Sequence, residues 1–326
     1  MVTIAIPTYS RLHYLKEAVA SALAQTYEHI EILIGDDGNN PEIQHWSEEQ
    51  ASRSTKIRYQ KNARNLGLAG NWNALTDIAR GKYIVIIGDD DRLLPDYVKK
   101  CIEAILPDGA LVFSNQVIIN QKGQRLDYET QEYPKLYGRD KLPAGWLSAP
   151  EACVWQNSVP ISAAMIRTAD VRRLRFKEDL NNPEIEFFAR LAREGAKFAF
   201  IPEYLAEYRV HPQSATSGGL KSDRLVEYLM EIQVRPEVEM HKARFLSGLM
   251  VNAVSRCLIA GEPERANLLF DSQYYPRFER QRFRGRIQRI SLVLPGWLGI
   301  RFYRLTWKLK KAVGKITCCF GSLNCG

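Results

Sequence analysis

Apolar positions along this chain switch between two periods. Val-Thr-Ile-Ala-Ile at 2–6 reads as a buried strand ended by Pro7, after which Leu12, Leu15, Val19, Ala22 and Leu23 recur at helical spacing. Residues 30–34 form a second apolar strand, cut by Gly35, Asp36, Asp37 and Gly38, and 57–60 a third. The spacing then predicts a helix over 69–79 with Gly81 as its C′ residue. A strand over 83–87 follows, then a helix over 93–105 with Pro95 in its first turn and a strand over 110–114. Residues 120–150 are polar and turn-rich and read as a long active-site loop. A helix over 184–193, a strand over 198–201 and a helical pattern from Leu220 onward complete the chain. Fully apolar strands alternating with helices predict an α/β fold with a mostly parallel sheet covered on both faces. In such sheets ligands bind beyond the carboxyl ends of the strands. Segments 7–11, 36–39, 65–71 and 89–91 all fall at positions of that kind.

Composition adds little until it is located. The chain has 326 residues, 45% hydrophobic and 25% charged, the balance of a folded domain. A basic n-region followed by an apolar stretch is missing at the start, so no secretory signal is expected, and no run reaches the ~18 apolar residues of a membrane span. The six cysteines form no CxxC pair, which suits free thiols in a reducing cytoplasm. The net charge of +8 is uneven: residues 277–315 hold twelve Lys or Arg against Glu279, giving +11 there and −3 elsewhere. Such a tail suits an anionic membrane surface or a nucleic acid. The acidic body and the lack of nucleic-acid motifs favour the first, and no nucleic-acid partner is expected.

Asp89, Asp90 and Asp91 form an acidic run after five apolar residues. One of them can cap the next helix. A hard divalent cation, Mg²⁺ or Mn²⁺, explains the others, since it takes oxygen ligands and shares its shell with substrate phosphates.

Ile-Pro-Thr-Tyr-Ser-Arg at 6–11, Ile-Gly-Asp-Asp-Gly-Asn at 34–39, Asn-Leu-Gly-Leu-Ala-Gly-Asn at 65–71 and Gly-Asp-Asp-Asp at 88–91 together resemble the family 2 inverting glycosyltransferases of the GT-A fold. The resemblance covers roughly residues 1–215. It implies a GT-A (Rossmann-like) domain over 1–215, a helical extension over 216–326, and transfer of a sugar from a nucleoside-diphosphate donor to a glycan or lipid-linked glycan. Such a reaction belongs to cell-surface polysaccharide synthesis at the inner face of the membrane. The resemblance further implies that Pro7, Thr8 and Tyr9 pack along the nucleoside, with Arg11 nearby, and that Asp37 accepts a base N–H. Uracil and guanine offer that donor, which favours UDP-, dTDP- or GDP-sugars. Asn65 and Asn71 resemble the loop over ribose and diphosphate. Asp89 matches the ribose contact and Asp90 the direct metal ligand. Gly88 stands where many members carry the first Asp, so Asp89, Asp91 or water completes the metal shell. Glu184 falls on the catalytic-base position, where Asp is usual. Arg209 and His211, in Tyr-Arg-Val-His, would sit by diphosphate or metal.

Trp146 and Trp155 offer either a sugar-stacking wall or ordinary core aromatics. Beyond residue 291, Phe302, Leu305, Leu309, Ala312 and Ile316 run beside Arg301, Arg304, Lys308, Lys311 and Lys315, the pattern of a basic amphipathic helix on a membrane or of a charged helix on the domain. A non-catalytic nucleotide- or glycan-binding module of the same fold is the competing reading.

Overall fold

The computed structural model describes residues 1–212, 214 and 220–321, with side chains of the last helix described through Lys308. The first strand, β1 (Val2–Thr8), is buried along nearly its whole length and leads into α1 (Leu12–Leu23). β2 (Ile30–Asp36), α2 (Pro41–Arg53), β3 (Ile57–Lys61), α3 (Gly67–Ile78) and β4 (Tyr83–Ile86) continue the alternation. The short β5 (Arg92–Leu93), α4 (Tyr97–Ala104), β6 (Leu111–Ile119), α5 (Asp127–Leu136), β7 (Gly145–Trp146) and α6 (Pro150–Trp155) follow. β8 (Ala164–Arg167), α7 (Thr168–Leu174), α8 (Pro183–Arg193) and β9 (Phe198–Arg209) complete one unit, made of Met1–Leu220 with Ile232–Val238.

The strands form one mixed sheet in the order β3-β2-β1-β4-β8-β6-β9-β5, with β7 pairing β9. β1, β2, β3, β4, β6 and β9 run one way, and β5, β7 and β8 run against them. Ile4, Ile6, Ile32, Ile34 and Val85 are completely buried in its core. Each such side chain stabilises the fold by roughly 1.5–3 kcal/mol. Because the strands carry apolar residues toward both helical layers, their order survives as a sequence pattern.

Several local expectations change. β1 does not stop at Pro7: the pairing with β4 ends at Ala5, while Pro7 still pairs on the β2 side with Gly35. The missing N–H therefore falls where the two strands part. Gly81 is not a helix cap, since α3 ends in the extended Ala79. A Cβ at Gly81 would lie 2.5 Å from the Thr3 backbone nitrogen, so close approach is what demands glycine there. The expected helix over 93–105 begins only at Tyr97, because Arg92 and Leu93 pair with β9. The segment 120–150 is no loop: it carries α5, a 3₁₀ turn at Arg139–Lys141, β7 and the start of α6. Helix α2, opened by the Asn40 cap and Pro41, has too weak an apolar stripe to stand out.

The second unit, Lys221–Glu231 with Glu239–Gly326, holds α9 (Ser222–Glu231), most of α10 (Pro236–Ala260), α11 (Pro263–Asp271), α12 (Phe283–Val293) and α13 (Gly296–Gly321). By length and apolarity α10 meets the requirement for crossing a membrane, against the expectation of no such run. Its Leu246, Met250, Ala253, Val254, Cys257 and Leu258 are fully buried, the packing of a core helix.

Candidate active site

The carboxyl ends of β1, β2 and β4 open onto a cavity of about 860 Å³. After β4 the chain turns at Gly88, where a Cβ would stand 2.4 Å from Asp90 Oδ1. Glycine at 88 thus leaves Asp90 its place; of the three carboxylates that follow, Asp89 and Asp90 meet Arg11 and Asp91 turns toward Arg209. Asp89 Oδ2 accepts from the Thr8 hydroxyl at 2.8 Å, and its Oδ1 pairs with Arg11. Asp90 Oδ2 accepts from Arg11 Nη1 at 2.7 Å and lies 2.9 Å from His211 Nε2. His211 Nε2 is itself 3.0 Å from Arg11 Nη1. Asp89, Asp90 and His211 therefore converge on one cation, the Arg11 guanidinium. Burial pushes Asp89 up to about 6, with the charge of Asp90 adding and Arg11 and Thr8 opposing.

Asp91, expected among the metal ligands or as a helix cap, caps no helix, and it lines the cavity. Its Oδ1 accepts the Arg209 backbone N–H at 2.9 Å, and Ser162 hydrogen-bonds the same carboxyl. Burial, then the neighbouring Asp90 charge, holds its pKa well above the carboxylate range. No helix begins until Tyr97. Arg209 is likewise turned inward. It donates to the Asp90 carbonyl at 2.8 Å, to the carbonyls of Asn120 and Gln121 at 3.3 Å and to Glu17 at 2.6 Å, and stacks 4.5 Å over Tyr14. Those contacts tie Arg209, which also lines the cavity, to the acidic run and to α1.

Among the described residues no group of three or more His, Cys, Asp or Glu is gathered for a metal. The pair Asp90 Oδ2 and His211 Nε2, already sharing one cation, fits a hard divalent ion that takes its other ligands from phosphate and water.

Pro7, Thr8, Tyr9, Asp37, Asn65 and Asn71, the residues expected along the nucleoside, all line the cavity. Asp36 is structural, holding the Gly38 N–H, the Tyr59 hydroxyl and Lys61. Asp37 accepts from Asn62 at 2.9 Å, from Leu66 N–H at 2.7 Å and from Gly67 N–H at 2.9 Å, leaving one lone-pair site. Asn65 accepts the Gly67 N–H at 2.7 Å, and Asn71 donates to the Gly35 carbonyl at 2.8 Å. These two side chains shape the loop.

Glu184 enters from the first turn of α8, behind Asn182 and Pro183. Asn182 donates to its Oε1 at 3.3 Å. Burial lifts Glu184 to about 7, opposed by its own backbone N–H and by Asn182. Glu186, two residues on, is paired with Arg190 at 2.5 and 2.8 Å and does not line the cavity. Trp146 packs against the sheet core and Trp155 is buried; neither forms a cavity wall. The aromatic residues that do include Tyr9, Trp72, Tyr133, Tyr137 and Tyr208. Tyr133, Tyr137 and Arg139 come from the stretch over 120–150 read as a loop, where their polar neighbours masked them, and 157–162 follow after α6.

A mixed, mostly parallel sheet that gathers a cation centre at its strand ends, faced by a carboxylate from the first turn of α8, is a GT-A fold. Residues 3–157 match the model of glycosyl transferase family 2, and this part of the chain is a domain of that family. An uncharacterized glycosyltransferase of Methanocaldococcus jannaschii is 26% identical, with the match covering 70% of this chain and 77% of that protein. Chondroitin synthase of Escherichia coli is 29% identical over 45% of this chain, which spans 21% of the synthase. Among solved structures, S. aureus TarS 1–349 in complex with UDP-GlcNAc superposes with a TM-score of 0.61 at 15% identity, over 89% of this chain and 90% of that one. The Pyrobaculum calidifontis mannosyltransferase PcManGT, in complex with GDP-Man and Mn²⁺, gives 0.58 at 14%, over 93% and 86%.

Proposed function

We propose that this enzyme transfers a sugar, with inversion, from a UDP-, dTDP- or GDP-sugar to a hydroxyl of a glycan or lipid-linked glycan. The observation that carries the reading is the meeting, in one cavity, of Arg11, Asp89 and Asp90 with Glu184, His211 joining that centre through its contacts with Arg11 and Asp90. The UDP-GlcNAc and GDP-Man bound by the two neighbours support those donor classes.

Glu184, lifted toward neutrality, takes the proton of the acceptor hydroxyl. The hydroxyl oxygen attacks the anomeric carbon as the bond from that carbon to the diphosphate oxygen breaks, and one displacement inverts the configuration. Arg11 balances charge on the leaving diphosphate. Asp90 and His211 would hold a divalent ion, Mg²⁺ or Mn²⁺ as in the manganese-bound neighbour, whose chemistry when bound is to neutralise the same phosphates. Thr8, Asp89 and Arg209 hold the acidic run in place. Domain limits of 1–215 and 216–326 go with this reading.

The setting proposed is the cytoplasmic face of a membrane. Support comes from α12, which buries Gly285, Gln288 and Ser291 and exposes Phe283 at 77%, Ile290 at 49% and Val293 at 79%. Arg286 and Arg289 are exposed between them. A helix with its polar side inward and its apolar, cationic side outward suits an anionic interface. The stripe expected over 301–316 lies partly outside the described side chains.

Titrating the protein with UDP-, dTDP-, GDP- and CMP-sugars in Mn²⁺ or Mg²⁺ tests the donor assignment. One of the first three should bind, more tightly with metal than in EDTA. Failure of all three would remove it.

A further inference from the structure

Arg139 is 3% exposed, lines the cavity, and has buried Nε and Nη1 atoms without a hydrogen-bond partner. It sits in the 3₁₀ turn after α5, behind Gly138 in a left-handed conformation (φ 67°). Its guanidinium lies 5.6 Å from the centre of the Tyr137 ring. The groups that act on its charge are Tyr137, Tyr204, Cys153 and Tyr133, with no carboxylate among them. Cys153 is pushed by burial up to about 12, so it is a neutral thiol at physiological pH and not a counter-ion. Burial accordingly lowers Arg139 to about 10, which still leaves it a cation.

The same fold pairs its other deeply buried arginine thoroughly: Arg209 reaches three carbonyls and Glu17. An unpaired buried guanidinium is costly to stability. Its planar fork matches one ligand chemistry, a carboxylate or a phosphate held by two parallel hydrogen bonds. The donor diphosphate has its own cation centre at Arg11, built from the ends of β1 and β4. Arg139 arrives from a different stretch, together with Tyr133, Tyr137 and Ser158, rings and a hydroxyl suited to a sugar.

We propose that Arg139 binds an anionic group, a carboxylate or a phosphate, on the acceptor, so that this enzyme glycosylates an acidic glycan. The inference rests on the reading of this cavity as a glycosyltransferase site and adds the charge of its second substrate.

The test compares glucose, glucuronic acid and glucose 6-phosphate as probes of the full-length protein by saturation-transfer NMR, with UDP and GDP titrated in parallel. One or both acidic sugars should bind roughly tenfold to a hundredfold more tightly than glucose. The carboxylate and phosphate arms separate the two sources. Arg139→Gln should abolish the difference, leave nucleotide binding unchanged, and keep or raise Tm, since it removes an unpaired buried charge. Arg139→Lys should restore part of the preference. Glucose binding as tightly as both acidic sugars would overturn the proposal, and this needs no variant. A marked fall in Tm for Arg139→Gln would overturn it too, by showing a structural role. So would an Arg139→Gln effect confined to UDP-glucuronate against UDP-glucose, which would place the anion on the donor. Absence of UDP and GDP binding with the acidic preference intact would instead fail the glycosyltransferase reading.

Discussion

Two glutamates two residues apart on α8 meet opposite fates. Glu186 is neutralised by Arg190, whereas Glu184 is half-buried at the cavity with Asn182 as its side-chain partner. Its pKa rises from 4.5 to about 7 in the folded protein. The native state therefore holds a proton between those values that the unfolded chain has released. Stability contributed by this site is present below pH 4.5 and lost as pH rises through 7. Glu184→Gln should thus be more stable than the parent at pH 8, by on the order of 1–3 kcal/mol, and equal to it near pH 4. Urea unfolding at both pH values checks this, and an equal effect at the two would contradict it. Asp37, Asp90 and Glu184 could be singled out in the sequence because each sits in a short local motif, and all three line the cavity. Arg139 was not, because an arginine in a polar stretch reads as surface until the turn that buries it is known.

Among elements, strands and helices whose side chains face one layer were legible from their period, as in β1, α1, β4 and α8. The failures share a cause, which is pairing with distant chain. β5 exists only because Arg92 and Leu93 meet Glu207 and Ala206 of β9, and Gly81 is required by Thr3. The turn between β4 and β5 carries the acidic run, and Gly88 sets its geometry. Gly88→Ala would place a methyl 2.4 Å from Asp90 Oδ1, and the flexible carboxylate would swing away from Arg11 and His211. The fold should persist, with a loss of about 1 kcal/mol, while donor turnover falls at least tenfold. Circular dichroism and nucleotide-sugar turnover measured together would check it. Unchanged turnover would mean that the position of Asp90 is unimportant.

At the scale of the molecule, a catalytic unit and a helical unit divide the work proposed for them. The charge imbalance of the helical unit was legible from composition. Its inverted helix α12 was not, because Gln288 is drawn inside by Val251, Ser255 and Tyr275, contacts remote in sequence. Replacing Phe283, Ile290 and Val293 with Ser should release the protein from vesicles containing phosphatidylserine in a sedimentation assay, with nucleotide binding intact. Equal binding by parent and variant would refute the membrane role of α12. The central claim is that Glu184 and the Asp90 centre together perform sugar transfer from a nucleotide donor. It is tested most directly by the release of free nucleoside diphosphate from the donor that binds, with Glu184→Gln alongside the parent. The parent should show metal-stimulated release, and the variant a loss of roughly 10²–10⁴-fold with donor affinity unchanged. Equal release by the two proteins would contradict it.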